Sequence, residues 1–281
     1  MSDRPDTTVP APDPGAEPEP DWSWVDEIQE WVPPAVDTSR PSVARIYDYG
    51  LGGKDNYPAD REAAHRFFEV VPDSRDIARA NRDFLSVVVT EMAEAGIDQF
   101  LDLGSGLPTS PNVHETARLV HPGAAVVYVD NDPVVLAHNR AMLLDDDRVI
   151  TLNHDLREPA SILRDPAARR VLDLSRPVGL LLISVLHFVG TTAAPAVISR
   201  YVEALPPGSL VAVTATTSLG IDPEVLRQSE ETYTRVTGTP LVHRTRAEIE
   251  QLFEGTELLR PLADVYRSST IAMLGGLGVK R

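Results

Sequence analysis

Four short apolar runs recur at intervals along the middle of the chain: Phe100–Leu103, Val126–Val129, Leu180–Ile183 and Leu210–Val213. Runs apolar on successive residues mark strands covered on both faces, which is the habit of parallel sheets. Segments of helical periodicity lie between them, and such βαβα alternation predicts a parallel sheet with helices on both sides. Strands are expected over 99–103, 124–130, 149–154, 178–184 and 209–216. Helices are expected over 113–120, 133–144, 160–172 and 193–205. Upstream, 60–70 and 74–95 read as helices, the second with Ser74 as N-cap and Gly96 past its end. Downstream, helices over 222–236 and 246–253 precede two strands, 256–262 and 271–279, expected as an antiparallel hairpin.

The N-terminus is of different character. Its first twenty residues hold six prolines and almost no large apolar side chains, so residues 1–20 are expected to form a disordered acidic tail. Residues 21–95 then read as N-terminal helices with a glycine-rich loop, and 96–281 as the α/β domain. Trp22, Trp24, Val25, Ile28 and Trp31 form a short amphipathic segment that either docks on the main body or serves as a partner-binding or dimer arm. Residues 1–37 hold ten acids against Arg4 alone, within a net charge of −16. An acidic chain is a poor match for a phosphate backbone, which argues against a nucleic-acid partner. There is no cysteine, which excludes disulfides and thiolate chemistry. The most apolar stretch, 178–190, is shorter than the roughly 20 residues of a membrane span. No N-terminal run resembles a secretion signal. These features predict a cytoplasmic protein with no membrane partner.

In an open α/β sheet, ligands bind beyond the carboxyl ends of the strands. At the first such end stands Asp102-Leu103-Gly104-Ser105-Gly106. Two glycines one residue apart allow a sharp turn and close approach of a ligand. The third glycine of a dinucleotide fingerprint is absent, and Thr109 stands in its place. An acid two positions before the first glycine suits a ligand carrying positive charge. The second run ends in Asp130, 26 residues after Gly104, where a carboxylate can accept from both hydroxyls of a ribose. The third ends in Asp155, within reach of an adenine amino group, and the fourth in Ser184-Val185-Leu186-His187. Acids at three successive strand ends, together with the glycine loop, predict a nucleoside ligand.

Three segments carry a resemblance: Pro41–Arg61 (PSVARIYDYGLGGKDNYPADR), Gln99–Thr109 (QFLDLGSGLPT) and Val127–Asn139 (VYVDNDPVVLAHN), supported by Val185–Phe188 (VLHF). The chain resembles, from about residue 37 onward, the actinobacterial S-adenosylmethionine-dependent methyltransferase-like family first catalogued as a domain of unknown function. The resemblance implies a class I methyltransferase fold, Rossmann-like, with a seven-stranded sheet whose last strand runs antiparallel. It implies S-adenosylmethionine as cofactor and a small-molecule methyl acceptor. Gly104, Ser105 and Gly106 would then line the methionine and ribose portion, with Asp102 near the ammonium. Asp130 would hold the ribose, Asn131 would border the adenine, Asp155 and the Leu156 backbone would meet its amino group, and Ser184 would contact the methionine end.

Two residues are candidates for a direct part in transfer. Lys54 is one of only two lysines against 24 arginines, so a lysine there is expected to be needed as such. It lies among Tyr47, Tyr49, Gly53, Asp55, Asn56 and Tyr57, a stretch expected to be a lid over cofactor or substrate. His187, just past a strand end, is a candidate general base. No metal site is expected, since no histidine spacing has the form of a ligand set. Two other readings stay open from the residues alone. One is a catalytically silent S-adenosylmethionine-binding module for regulation or interaction. The other, an NAD-dependent oxidoreductase, is weakened by Thr109 and Asp102.

Overall fold

The computed structural model describes residues 37–142 and 146–281. The acidic tail, the tryptophan segment and Asp145 lie outside them. Strands β1 (Gln99–Leu103), β2 (Ala125–Asp130), β3 (Val149–Asn153), β4 (Gly179–Leu182) and β5 (Leu210–Thr216) form a parallel sheet in the order β3-β2-β1-β4-β5. Strand β8 (Ala272–Lys280) runs antiparallel beside β5, with Leu210 opposite Val279 and Thr216 opposite Met273. The far edge of β8 is shared by β6 (Thr256–Leu258), paired to Gly278–Lys280, and β7 (Ala263–Arg267), paired to Ala272–Gly275.

The sheet therefore has eight strands rather than the seven expected. Of the strand predicted over 256–262 only Thr256–Leu258 forms, as β6, and an unpredicted strand, β7, follows it along the same edge of β8. Pro261, which has no N–H to donate, falls at the break. A second expectation is corrected between β3 and β4. The helix predicted over 160–172 is two helices, α6 (Pro159–Arg164) and α7 (Pro166–Val171). Asp165 is extended there, and its carboxylate accepts from the N–H groups of Ala167 and Ala168, capping the second helix.

Both faces of the sheet are covered, as the apolar runs demand. The pleat sends Leu101, Leu103, Val127, Val129, Leu180 and Leu182 into one core, against α7 and α8 (Ala193–Ala204). It sends Phe100, Val126, Tyr128 and Leu181 into the other, against Leu85, Val88, Val89 and Met92 of α3 (Ser74–Glu94). Asp102 shares the pleat of Phe100 and so faces α3 at the end of β1. Two more helices precede α3. In α1 (Val43–Leu51), Ala44 packs against Leu107, Val134 and Val135, the last two on α5 (Pro133–Met142). In α2 (Pro58–Val70), Phe67 packs against Tyr233 of α9 (Pro223–Thr237). A buried ion pair, Arg45 Nε to Asp60 Oδ2 at 2.9 Å, ties α1 to α2. No helix among the described residues is long and apolar enough to cross a membrane.

Candidate active site

Strand order reverses at β1, where β2 and β4 flank it, and the carboxyl ends of these strands open onto a cavity of about 790 Å³. That volume falls within the roughly 300–1,000 Å³ of small-molecule sites. Asp102, Gly104, Ser105, Gly106, Asp130, Asn131, Asp155, Leu156 and Ser184 all line it. The loop after β1 is held in shape from β2, since the N–H groups of Gly104 and Ser105 both donate to Val129 O, at 2.8 and 3.1 Å. Gly104 has φ +76°, and a Cβ there would sit 2.4 Å from Val185 Cγ2. The turn and the close approach of the β4 loop therefore both require glycine. At Gly106, φ +65°, a Cβ would meet nothing within 4 Å, so the backbone lies open to the cavity.

Two acids dominate the electrostatics. Asp130 is anchored through both oxygens: Oδ2 accepts from Gly106 N and Oδ1 from Asp132 N, each at 2.9 Å. Burial nevertheless raises its carboxyl above the ordinary range. Asp102 is 6% exposed and accepts no hydrogen bond among the described residues. Burial pushes its carboxyl up to about 7, with the Arg82 guanidinium pulling down and Asp130 pushing up. Arg82 is held off by the carbonyls of Thr109 and Pro111, to which its Nη2 donates at 2.5 and 2.7 Å. An unpartnered buried carboxylate lining a cavity is built to meet a cation. Ser105 Oγ is likewise buried without a partner. This donor set fits the positively charged, sugar-bearing cofactor that the sequence implies.

Asp155 differs from the other two. Arg157 forks onto it, Nε to Oδ1 at 2.9 Å and Nη2 to Oδ2 at 2.5 Å, and this pairing lowers its carboxyl. Leu156 O accepts from Tyr201 Oη at 2.7 Å. Ser184 has φ +57°, alone in that region among the described non-glycine residues. It is kept there by a chain of hydrogen bonds that all run one way. Ser184 N donates to Thr214 Oγ1 at 2.8 Å, and Thr214 Oγ1 to Asn81 Oδ1 at 2.8 Å. Asn81 Nδ2 then donates to Tyr47 Oη at 3.1 Å, and Tyr47 Oη to Ala78 O at 3.1 Å. The end of β4 is thereby wired to α1.

The glycine-rich stretch is placed differently from the lid loop expected. Tyr47 and Tyr49 belong to helix α1, which Gly52 closes in a left-handed C-cap at φ +86°. Tyr47 lines the cavity, whereas Tyr49, Gly53, Lys54, Asp55, Asn56 and Tyr57 do not. The buried Asp48 organises these last residues. Its Oδ2 accepts from Asp55 N at 3.0 Å and Asn56 Nδ2 at 2.8 Å. A Cβ on Gly53 would fall 1.9 Å from Asp48 Oδ1. Lys54 is exposed. The wall over the cavity is thus the first half of α1, while the loop is a turn folded around Asp48.

His187 lies in the 3₁₀ turn Leu186–Phe188, 6% exposed and lining the cavity. Burial, with His243 and Arg244 nearby, pushes its pKa down to about 3. An imidazole that weakly basic is neutral at pH 7 and draws no proton from an acceptor, so the general-base role is not favoured. Arg244, wholly buried, holds this turn by donating from Nη1 to Leu186 O at 2.9 Å and from Nη2 to Val189 O at 2.5 Å. Sequence reasoning missed Arg244, Asn81, Arg82 and Tyr233. Only Asn81 left a sign: it interrupts the apolar stripe Ile77, Leu85, Val88 of α3, where a polar residue needs a buried partner.

A family model described as S-adenosyl methyltransferase matches residues 29–266. Among solved structures, the chain is similar to a DUF574-family protein of Streptomyces avermitilis, with 41% identity and a TM-score of 0.82 over 87% of this chain and 99% of that one. It is also similar to a candidate methyltransferase of Thermobifida fusca, with 38% identity and a TM-score of 0.83 over 89% of this chain and 99% of that one. No match is found among curated proteins.

Proposed function

The chain belongs to the S-adenosyl methyltransferase family, and from that premise we propose how its residues divide the work of methyl transfer to a small-molecule acceptor. The observation that carries this reading is Asp102, a buried carboxylate with no partner among the described residues, beside a glycine loop open at Gly106. Asp130, already aligned by Gly106 and Asp132, has acceptor capacity left for two ribose hydroxyls. Asn131 and Leu156 border the base, with Asp155 beside them turned toward Arg157. Ser184 and Tyr47 close the methionine end.

S-adenosylmethionine supplies a methyl group on a positively charged sulfur, already electrophilic without acid or base. The residues around it therefore have to position the acceptor in line and exclude water. Helix α1 covers the cavity, and His187, neutral at pH 7, contributes shape and hydrogen bonding rather than proton removal. The acidity of the chain supports a small metabolite over a nucleic acid, and the reading places the enzyme in the cytoplasm.

Calorimetric titration of the purified protein with S-adenosylmethionine, S-adenosylhomocysteine and NADH tests the assignment. The first two are expected to bind and NADH is not. Asp102→Asn is expected to weaken both adenosyl compounds. Binding of NADH alone, or adenosyl binding indifferent to Asp102, overturns this arrangement.

A further inference from the structure

Past Ser184 the cavity continues into a lobe walled by Phe67, Phe188, Tyr233, Leu241, Met273 and the ring of His187. The rings interlock. Tyr233 stacks on Phe188 at 5.5 Å and 21°, Phe67 meets Tyr233 edge-on at 5.0 Å and 80°, and His187 meets Phe188 at 4.2 Å and 69°. None of these six side chains is charged at neutral pH. The charged groups of the cavity lie elsewhere and are largely engaged with one another. Arg45 pairs with Asp60, Arg157 with Asp155 and Arg40 with Asp37, while Arg82 is held by two carbonyls. A charged ligand seated in the lobe would lose its water and find no counter-ion.

Two polar groups break the apolar wall. Tyr233 is 6% exposed, and its hydroxyl has no hydrogen-bond partner among the described residues; His187 Nδ1 is fully buried and also lacks one among them. Buried polar groups are nearly always paired, so the unpaired His187 nitrogen, together with a Tyr233 hydroxyl that has no protein partner among the described residues, calls for a ligand.

We infer that this lobe receives the methyl acceptor as an uncharged, flat, aromatic small molecule whose polar edge is hydrogen-bonded by the Tyr233 hydroxyl and the His187 ring. The inference rests on the cofactor occupying the Asp102–Asp130 side, as proposed above. Ring edges and faces in the lining of the lobe favour an aromatic occupant through offset and edge-on contacts.

The test uses full-length protein saturated with S-adenosylhomocysteine and three probes of one shape: 2-naphthol, 2-naphthoate and 2-naphthylmethylammonium. Calorimetry is expected to show 2-naphthol binding at least about tenfold tighter than either charged probe. Tyr233→Phe, which removes one hydroxyl, should weaken 2-naphthol by about three- to tenfold. Leu241→Trp, which fills the lobe, should abolish its binding. Titrating each variant with S-adenosylhomocysteine reports whether the fold and the cofactor side are intact. A charged probe that equals or exceeds 2-naphthol overturns the inference, as does 2-naphthol binding unchanged in both variants. S-adenosylhomocysteine binding without discrimination among the probes sinks this inference alone, whereas failure of S-adenosylhomocysteine to bind removes the cofactor assignment and this inference together.

Discussion

The N–H of Gly106 donates to Asp130 Oδ2 at 2.9 Å, so the glycine loop after β1 and the acid ending β2 form one preassembled unit. With Oδ1 taken by Asp132 N, each oxygen keeps a lone pair for a sugar hydroxyl. Asp130→Ala should weaken S-adenosylmethionine binding by about 1.5–3 kcal/mol, the range for hydrogen bonds to a charged group. Asp130→Asn, which keeps one acceptor oxygen, should cost less. Calorimetry on both variants reads the difference, and wild-type affinity in the alanine variant would remove Asp130 from the site.

Asp102 makes cofactor binding depend on pH. With its carboxyl at about 7, it is protonated in the free protein below neutrality and must ionise to meet a cation. The dissociation constant should rise as pH falls from 7 to 5, approaching about tenfold per pH unit, and Asp102→Asn should flatten the profile. Stability of the free protein runs the opposite way. The folded state holds an extra proton between 3.8, the unfolded value, and about 7, so stability declines as pH rises through that window. Above pH 7 the full penalty is present, at most about 4 kcal/mol. Asp102→Asn should therefore melt higher than wild type at pH 8 in the absence of cofactor, which thermal denaturation at pH 5 and 8 measures directly.

Gly53 and Lys54 should separate cleanly despite being neighbours. A methyl group on Gly53 collides with the buried carboxylate of Asp48, so Gly53→Ala is expected to lower stability by about 1–3 kcal/mol, as overpacking does. Lys54 is exposed and away from the cavity lining. Lys54→Arg should leave both melting temperature and cofactor affinity at wild-type values. A loss of affinity in Lys54→Arg would show that the loop folds over the ligand in the bound state.

Residues whose function follows from position at a strand end were legible in the chain itself. Asp102, Gly104, Gly106 and Asp130 are readable because a parallel sheet sends its strand ends to one edge, and an acid or glycine there breaks an apolar run. The break of β6 from β7 and of α6 from α7 was less legible, since Pro261 and Pro166 mark a change without saying whether the element ends or restarts. Tyr47–Tyr57 reads as a lid loop because it is rich in glycine and polar groups, yet its first part is the end of α1. Burial of Ile46, Asp48 and Gly50 against the rest of the fold overrides the low helix propensity of glycine there. Least legible was the acceptor side. Phe67, Phe188, Tyr233 and Leu241 come from four separate stretches, and each alone reads as ordinary core. Only tertiary folding brings them to one wall.

Arg244 supports that wall from behind, and its removal should be felt in two observables. The guanidinium is wholly buried, forms no ion pair among the described residues, and caps Leu186 O and Val189 O on either side of His187. Arg244→Met leaves Val189 O without its donor, at about 1–3 kcal/mol, and leaves Leu186 O with the N–H of Val189 alone, but also relieves the burial of a charge. The net loss should be about 1–3 kcal/mol in denaturant unfolding. The second observable is the titration of His187. Its folded pKa of about 3 lies below the ordinary 6.5, so the folded state binds fewer protons than the unfolded one across that range. The stability it contributes is present above 6.5 and lost as pH falls toward 3. Arg244 is one cause of that depression, after burial and His243, so in Arg244→Met the imidazole should take up its proton at higher pH. NMR of the His187 ring resonances measures this. A His187 titration identical to wild type, with unchanged unfolding, would mean that Arg244 neither holds the turn nor keeps the imidazole neutral.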